Sequence, residues 1–519
     1  MNDNRSPYFI STSIPYVNAR PHVGHAMEFA LADAYARWHR QQGRDVFFLS
    51  GSDENSLKNV QAAEREGIST QELVNKYVQS FEETIQALNV SNDDFLRTSI
   101  DERHIAGAGK IWRAMVASGD VYSKSYSGLY CVGCEQFYTE DELVEGRCPE
   151  HGTVPDVVEE ENYFFRLSRY GDQLRELISN DTLKIYPAQR KNEVLRFVEA
   201  GLEDFSISRS RARARDWGIA VPDDPGQVMY VWVDALANYI TALDYAADGE
   251  RFQHYWQDAP DRVHVIGKGI LRFHAVYWPA MLLSAGLPLP THIIVHGYFT
   301  VGGQKMSKSL GNVIDPVDVT ERFGSDALRY YVLREINPFA DGDFTVEKLA
   351  GRYRSDLGND LGNLLNRAIS MIARYREGVI PNSSWSDAGE LENELAETLG
   401  VAAAKVELAM EGYDPQAALI AIWEVISTAN TYVEQSAPWN IAKSERNGEI
   451  PPGRLDTVLH ALAITLGKLA QLLYPFLPET AEKMAAQLGS ASLDQLPRGG
   501  QKVGTPEPIF PRIEEAEVA

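Results

Sequence analysis

Short apolar segments alternate with helical patterns near the start of this chain, and this alternation constrains the fold more than any other feature. Residues 8–14 and 46–49 predict buried strands, and residues 26–42 predict a helix that stops at Gly43. Residues 69–72 read Ser-Thr-Gln-Glu, the pattern of a capping box, and predict the start of the next helix. Because strands that alternate with helices form parallel sheets, the sequence predicts a doubly wound α/β domain.

The texture of the sequence changes twice further along. Residues 121–216 are rich in Gly, Tyr, Cys and Glu and predict an insertion, after which strand patterns at 228–233, 263–267 and 292–297 resume the α/β alternation. Beyond about residue 351 the apolar residues follow a helical period, which predicts a bundle. The predicted divisions are a Rossmann-like domain in two halves (1–120 and 221–297), the insertion between them (121–220), a connecting region (298–355), an all-α bundle (356–500) and a loosely attached tail (501–519).

Charge and hydropathy restrict the setting in which the protein works. The net charge of −24 argues against a nucleic-acid partner unless the cations gather in a local patch. The N-terminus has no apolar run long enough for a signal peptide, and the most apolar later stretch, 459–478, is interrupted by His460, Lys468 and Gln471. We therefore expect a cytoplasmic protein that does not span a membrane.

The cysteines fall within one short segment and indicate a metal. Cys131, Cys134 and Cys148 are followed by His151 in the pattern C-x2-C…C-x2-H, with thirteen residues between the halves. An odd number of cysteines without a secretory signal disfavours disulfides. Three thiolates and one imidazole complete a closed tetrahedral site, which predicts one structural Zn²⁺ per chain; reduced free cysteines are the alternative.

Two histidines stand where the first predicted strand gives way to the first long helix. His22 and His25 are three residues apart, so both imidazoles can face one side, and Gly24 between them allows close approach of the backbone to a nucleotide. Such donors could stabilise charge that develops on a phosphate. A His-x-x-His pattern by itself is more often an ordinary capped helix start.

A second loop, residues 302–309, carries two lysines three apart, Lys305 and Lys308, among glycines and small polar residues. A mobile loop of this kind can close over a triphosphate, although a lone Lys-x-x-Lys is usually a solvated surface pair. The string Lys-Met-Ser-Lys-Ser resembles, letter for letter, the second signature loop of class I aminoacyl-tRNA synthetases. Pro-x-His-Val-Gly-His, which comes earlier in the chain, resembles the first. The resemblance implies an ATP-dependent ligase.

Two helical stripes rich in aromatic residues are candidates for a substrate pocket. On periodicity alone they are more typical of a core. The strings that contain them resemble the methionine–tRNA ligases, and an aromatic pocket suits a thioether because sulfur contacts rings favourably. The resemblance implies methionine contacts by Ser13, Ile14, Tyr16, Asp53 (to the α-ammonium group), Trp232, Ala235, Leu236, Tyr239, Ile270, Phe273, His274 and Trp278. It implies ATP contacts by His22, Gly24, His25, Gly267, His296, Gly297 and Lys308, with His22, His25, Lys305 and Lys308 in catalysis.

The chain departs from the family pattern at a few positions. Many members read Thr-Asp-Glu-His-Gly where this chain has Ser-Asp-Glu-Asn-Ser, with Asn55 in place of the histidine. Gly269 stands where many have an aspartate, and Leu236 where a proline is common. The loss of the acidic side chain at 269 leaves the details of nucleotide contact open, but not the reaction.

Two segments are candidates for contact with RNA. One has alternating arginines, at Arg209, Arg211, Arg213 and Arg215. In an extended backbone their guanidinium groups would share one face, as a basic patch or as an ordinary solvated face. The other has Asn359, Asn363 and Arg367 on one helical face, with Trp439 beside a proline later in the chain; helix packing explains this pattern equally well, but it resembles the anticodon-reading helix of methionine–tRNA ligases.

The resemblance therefore implies a two-step reaction with L-methionine, ATP and tRNA(Met) as substrates, with Mg²⁺ bound to the ATP. The connecting region would carry the lysine loop, and the bundle would bind the anticodon. Because the chain ends soon after the bundle, we expect a monomer. The alternatives are a class I ligase for another apolar amino acid, disfavoured by the lack of a large editing insertion, and a non-catalytic zinc-containing RNA-binding protein.

Overall fold

The computed structural model describes residues 5–134, 136–150, 152–306, 311–383 and 388–513, and of Tyr126, Ser127, Gln136 and Lys305 it describes the backbone only. His151 and Lys308 therefore lie outside the described residues. The chain forms two compact units, the first of Met1–Pro21, His39–Glu83 and Ser91–Gly297 and the second of His22–Trp38, Thr84–Val90 and Tyr298–Ala519. No helix in the described part of the chain is long and apolar enough to cross a membrane.

The secondary structure alternates early and is helical late, as the patterns predict. The strands are β1 (Pro7–Thr12), β2 (Asp45–Ser52), β3 (Asp94–Arg97), β4 (Val121–Cys131), β5 (Gln136–Tyr138), β6 (Asp156–Phe165), β7 (Lys184–Tyr186), β8 (Phe205–Ser206), β9 (Ser208–Ser210), β10 (Ala220–Val221), β11 (Asp224–Met229), β12 (Asp261–Gly267), β13 (His292–His296), β14 (Phe299–Val301), β15 (Gln304–Lys305) and β16 (Gly342–Phe344). The α-helices are α1 (Val23–Gln41), α2 (Leu57–Glu66), α3 (Thr70–Ala87), α4 (Glu102–Ala117), α5 (Gly171–Ser179), α6 (Ala188–Glu199), α7 (Val231–Thr241), α8 (Glu250–Phe252), α9 (Trp278–Ser284), α10 (Pro316–Phe323), α11 (Ser325–Arg334), α12 (Val346–Arg352), α13 (Asn363–Tyr375), α14 (Glu390–Glu411), α15 (Pro415–Ser436), α16 (Pro438–Arg446), α17 (Arg454–Leu473) and α18 (Pro478–Gln487).

A six-stranded parallel sheet in the order β3-β2-β1-β12-β13-β7 forms the centre of the first unit. Strands β1, β12 and β13 are largely buried apolar runs, as is usual for parallel strands. From β1 the sheet extends in one direction to β2 and β3 and in the other to β12 and β13. Such a switch point opens a ligand crevice at the carboxyl ends of β1 and β12. The predicted α/β class is confirmed.

The predicted helix starts and strands of this unit are also confirmed, with one exception. The capping box is present: the Ser69 hydroxyl accepts from the Glu72 N–H at 3.2 Å, and the Glu72 carboxylate accepts from the Ser69 N–H at 2.9 Å. The strand predicted at 228–233 is wrong in its second half, because β11 ends at Met229 and α7 begins at Val231. A helix buried on all sides has the same continuous apolar pattern as a buried strand, so periodicity could not separate them.

The segment predicted as an insertion contains more than β-like pieces. Its antiparallel sheet, in the order β5-β4-β6-β8, agrees with the prediction. Helices α5 and α6 also lie in this segment, and β7 between them pairs in parallel with β13 as the edge strand of the main sheet. Because β7 has only three residues and its partner β13 lies far along the chain, no periodic pattern in the sequence indicates this strand.

In the second unit, a buried guanidinium joins the first helix to the bundle. Arg329 on α11 is fully buried and lies 2.8 Å from the carboxylate of Asp33 on α1. Its remaining N–H groups donate to the carbonyl oxygens of Leu88, Pro475 and Phe476. A buried charge is stable only when it is paired and hydrogen-bonded in this way, so these contacts fix α1 against α11 and the turn after α17.

The described part of the C-terminal segment, residues 501–513, is packed, contrary to the prediction of a loosely attached tail. Val503 and Ile509 are buried, the Val503 N–H donates to the Gly378 carbonyl, and the Pro511 carbonyl accepts from the Tyr353 hydroxyl at 2.7 Å. Prolines prevent a helix here, but an extended segment can still pack through its apolar side chains.

Candidate active site

Aromatic side chains from α7 and from the helical turns after β12 gather into one cluster in the first unit. The Trp232 and Phe273 rings stack with centroids 3.8 Å apart and planes 7° apart. Tyr16 lies edge-on to Trp232 at 6.4 Å, and Trp278 lies 6.1 Å from Tyr239. Ala235 and Leu236 are buried on the same helix. The two predicted stripes therefore come together.

Tyr239 and His274 form a hydrogen-bonded pair whose direction is set by the backbone. The Ile270 carbonyl can only accept, so His274 donates to it from Nδ1 at 2.9 Å. In the neutral ring Nε2 is then an acceptor, and it accepts from the Tyr239 hydroxyl at 2.7 Å. Both side chains are almost fully buried. Since the hydroxyl proton is committed to His274, this part of the cluster suits an apolar ligand.

The segments after β1 and β2 place the other predicted methionine contacts. The Ser13 N–H donates to the Val265 carbonyl at 3.1 Å, and Ile14 follows it. Asp53 is 2% exposed, pairs with Tyr16 in an isolated parallel bridge, and donates its N–H to the Pro15 carbonyl at 2.9 Å. A buried carboxylate thus lies at the carboxyl end of β2, beside the segment that carries Tyr16.

Two residues that are predicted to lie near the nucleotide are the last residues of two adjacent strands. Gly267 is the last residue of β12 and pairs in register with His296, the last residue of β13. The His296 Nδ1–H donates to the Gly297 carbonyl at 2.8 Å. Nucleotides bind at such carboxyl ends of parallel strands, so the positions agree with the expected role.

The imidazole pair lies at the start of α1, in the second unit. The ring centroids of His22 and His25 are 4.0 Å apart. Nδ1 of His22 accepts from the Gly24 N–H and Nδ1 of His25 accepts from the His22 N–H, each at 3.1 Å. Each neutral ring must therefore carry its proton on Nε2. Burial lowers the pKa of His22 to about 4, so this side chain is neutral at physiological pH.

The His22 ring leaves no room for a Cβ at position 24, which explains the glycine there. The sequence alone did not reveal this contact. A Cβ at this position would lie 2.8 Å from Cε1 of His22 and 2.9 Å from its Nδ1. It would also lie 3.5 Å from Cε of Met306, and the Val23 N–H donates to the Ile314 carbonyl at 3.1 Å. Met306 within the lysine loop and Ile314 after it therefore both lie against the start of α1. The loop lysines remain a prediction, because Lys305 is described by its backbone alone and Lys308 is outside the described residues.

Three thiols converge in the insertion. The Sγ atoms of Cys131, Cys134 and Cys148 all lie within 4.8 Å of one another, with Cys134 and Cys148 3.4 Å apart. Tetrahedral zinc with Zn–S bonds of about 2.3 Å holds its sulfurs about 3.8 Å apart, so the spacing fits a metal and is too long for a disulfide. The Tyr138 hydroxyl donates to Cys134 at 3.0 Å. The cluster can bind a metal ion.

The four predicted anticodon residues lie on the bundle. Asn359 and Asn363 are exposed, and the Arg367 guanidinium lies 5.8 Å from the ring centroid of Trp439, which is 40% exposed. Arg367 also pairs with Glu434 at 2.6 Å. An exposed indole next to a guanidinium is a surface on which an unpaired base can stack.

The helix that carries the asparagines is not regular. Between α12 and α13 the segment Tyr353–Gly362 is π-helical. A π-helical turn holds more residues than an α-helical one, so the four-residue spacing that suggested a shared face does not apply here unchanged. π-Helical segments occur often at functional sites.

The arginine segment does not form a basic face. After β9 the chain turns over residues 211–216, so the predicted extended backbone is wrong. Arg209 is buried, with its guanidinium 4.4 Å from the ring centroid of Tyr230, and Arg213 lies over Tyr130 at 4.5 Å. Arg211 pairs with Asp216, and Arg215 with Glu64. The four guanidinium groups therefore have different environments.

One buried residue of the cluster was missed from the sequence. His264 on β12 lies under Tyr239, with ring centroids 4.0 Å apart, and its Nδ1 is 2.8 Å from the Ser11 hydroxyl. Burial, with a smaller effect of His274, holds the pKa of His264 well below its usual value, so the ring is neutral. The available signal was a histidine between two valines in a strand pattern.

Family models match nearly the whole chain. The model described as tRNA synthetases class I (M) matches residues 8–154 and 150–369, and the one described as Anticodon binding domain of methionyl tRNA ligase matches residues 380–519. The methionine–tRNA ligase of Brucella melitensis is 44% identical over an alignment of 530 positions, which covers 99% of each chain. The methionine–tRNA ligase of Bacillus subtilis is 40% identical over an alignment of 542 positions, which covers all of this chain and 80% of the relative.

The fold is also similar to that of a solved structure. The crystal structure of Mycobacterium tuberculosis methionyl-tRNA synthetase bound by methionyl-adenylate aligns with a TM-score of 0.92 and 40% identity. The alignment covers 97% of this chain and all of that one.

Proposed function

The chain belongs to the methionyl-tRNA synthetase family of class I aminoacyl-tRNA synthetases, and from this membership we propose how its own residues carry out the reaction. The protein is an enzyme that activates methionine with ATP and loads it onto tRNA. In the first step a methionine carboxylate oxygen attacks the α-phosphorus of ATP. A P–O bond forms as the bond to the β-phosphate oxygen breaks, which gives methionyl-adenylate and pyrophosphate.

The methionine site is assigned to the first unit. The buried Asp53 carboxylate binds the α-ammonium group, and Ser13, Ile14 and Tyr16 form the floor. The aromatic cluster around Trp232 and Phe273 takes the side chain, because an unbranched thioether gains dispersion and sulfur–ring contacts there. Leu236, Ala235, Tyr239, Ile270, His274 and Trp278 complete the cavity.

The phosphates are assigned to the imidazole pair and the lysine loop. The observation that carries this proposal is that backbone N–H groups occupy Nδ1 of both His22 and His25. Each ring therefore presents Nε2–H as a fixed donor, and such donors stabilise negative charge that develops on the α-phosphate without reorganisation. Lys305 and Lys308 serve the β- and γ-phosphates, with Mg²⁺ bound to the ATP.

In the second step the 3′-terminal ribose of tRNA(Met) takes methionine from the adenylate and releases AMP. Trp439 and Arg367, with Asn359 and Asn363, contact the anticodon. Cys131, Cys134, Cys148 and His151 would hold a structural Zn²⁺, which would stiffen the insertion. The cytoplasmic location and the monomeric state stay predictions.

Methionine-dependent exchange of labelled pyrophosphate into ATP tests these assignments. We expect exchange with methionine and not with leucine, isoleucine or valine. Lys308→Ala should reduce exchange by about a hundredfold or more and leave methionine binding nearly intact. Lys405→Ala, which removes an exposed pair with Glu424 on the bundle, is the control and should change nothing. Loss of methionine binding in Lys308→Ala would show that the loop is assigned wrongly.

A further inference from the structure

A buried carboxylate on α7 connects the side-chain pocket to the loop that carries Asp53. Asp234 is 1% exposed and lies among the pocket residues of that helix. Its Oδ1 accepts from Nε2 of His104 at 2.5 Å, and its Oδ2 accepts from the Asn55 amide at 2.6 Å. On its other side, Nδ1 of His104 is hydrogen-bonded to the Thr241 hydroxyl at 2.9 Å. Every oxygen of the buried carboxylate therefore has a strong donor.

Asn55 is two residues after Asp53, and the loop between them is held on other sides. The Asn59 amide donates to the carbonyls of Asp53 and Glu54 at 3.1 and 2.8 Å. The Asn55 amide also donates to the Thr98 carbonyl at 3.3 Å. A displacement of Asn55 would therefore be transmitted to Asp53 through a short, constrained piece of backbone.

We infer that Asn55, Asp234 and His104 form a positioning chain that sets the distance between the Asp53 carboxylate and the pocket wall on α7, and so determines which amino-acid side chain fits. The inference rests on the proposed binding of the α-ammonium group by Asp53. One end of the substrate is held by the loop and the other by α7. Because a buried charge-assisted hydrogen bond is short and directional, it fixes the separation of the two ends more closely than apolar packing does.

The test exchanges the carboxylate and the amide. Asn55→Asp places two carboxylates 2.6 Å apart, and their repulsion should push the loop away from α7. In the double variant Asn55→Asp with Asp234→Asn, the new amide at 234 donates to the new carboxylate at 55, and its oxygen still accepts from His104. In pyrophosphate exchange we expect Asn55→Asp to raise the KM for methionine about tenfold or more, with the KM for ATP nearly unchanged. The double variant should recover the part of the loss that comes from the repulsion, while the hydrogen bond to the Thr98 carbonyl stays absent in both variants.

Controls separate this inference from the function on which it rests. Asn393→Asp on the exposed face of α14 makes the same chemical change and should leave both KM values unchanged. If Asp53→Asn does not raise the KM for methionine, the assignment of Asp53 is wrong. If Asp53→Asn raises it but Asn55→Asp does not, or if the double variant shows no recovery, the positioning chain is refuted. Should Asn55→Asp fail to fold, Asn55→Ala takes its place: it should raise the methionine KM by several-fold without rescue by Asp234→Asn, and an unchanged KM would refute the chain.

Discussion

Replacement of Gly24 by alanine tests whether the position of the His22 ring matters for chemistry. The added Cβ would lie 2.8 Å from Cε1 of His22, whereas ordinary contacts begin at 3.4 Å, so the ring must retreat by 3.4 − 2.8 = 0.6 Å. The same displacement lengthens the hydrogen bond from the Gly24 N–H to Nδ1, now 3.1 Å. The backbone at 24 is not in the left-handed region, so alanine is compatible with the helix itself.

The two effects give the expected loss of rate. A reacting group misplaced by about 1 Å costs roughly a hundredfold, so 0.6 Å costs roughly tenfold. Loss of the hydrogen bond that fixes the tautomer adds about 1 kcal/mol, a further factor of about five. We therefore expect kcat for pyrophosphate exchange to fall about 50-fold. The KM for methionine should change little, because the methionine pocket is assigned to other residues.

Stability should change little, which makes the test selective. Alanine is favoured over glycine in a helix by up to about 1 kcal/mol, and this gain offsets the loss of about 1 kcal/mol from the hydrogen bond, so the melting temperature should stay nearly unchanged. Gly400→Ala on α14 is the matched control, since a Cβ there would meet nothing within 4 Å, and it should leave kcat unchanged. A stable Gly24→Ala enzyme with kcat within about threefold of wild type would refute the role of the imidazole pair.

Other perturbations address the metal, the RNA surface and a buried carboxyl group. Cys148→Ser should lose the roughly one equivalent of zinc that metal analysis of the purified wild-type protein should find. Trp439→Ala should weaken tRNA binding by about 1–3 kcal/mol and leave pyrophosphate exchange unchanged. Burial raises the pKa of Asp326 to about 6, so its carboxyl group favours the folded state at low pH and this contribution is lost as pH rises through about 6. In Asp326→Asn the amide oxygen can still accept from the Thr480 N–H. The melting temperature of this variant minus that of wild type should therefore increase as pH rises from about 4.5 to 7.5.

Local patterns predicted most of the helices and long strands, because periodicity and caps are properties of neighbouring residues. The strand patterns at 263–267 and 292–297 also placed Gly267 and His296 at strand ends, where parallel sheets bind ligands, whereas Asp53 was assigned from the family resemblance. Contacts between distant residues could not be predicted in this way. His104 and Asp234 are 130 residues apart, and nothing in the sequence near either residue indicates the other.

Two predictions failed for a shared physical reason. The alternating arginines suggested an extended backbone, but Arg215 and Asp216 adopt left-handed conformations, with φ of 54° and 59°, and the chain turns. The prolines near the C-terminus suggested a loose segment, but Ile509 and Phe510 supply apolar surface that packs on the bundle. In both segments the side chains make their contacts with other parts of the protein. These tertiary contacts, and not local propensity, determine the conformation.

The pairing of two of these arginines with carboxylates also bears on how an acidic enzyme binds RNA. The net charge of −24 repels phosphates, and Arg211 and Arg215 are each paired with a carboxylate. We therefore expect base stacking and shape to supply a large share of the affinity for tRNA, with the exposed ring of Trp439 as the proposed stacking surface. Salt weakens phosphate contacts through counterion release but also screens the repulsion by the acidic body. The Kd for tRNA should therefore rise by less than about tenfold between 50 and 200 mM salt, and a rise of about a thousandfold would instead require six or more phosphate contacts by lysine and arginine.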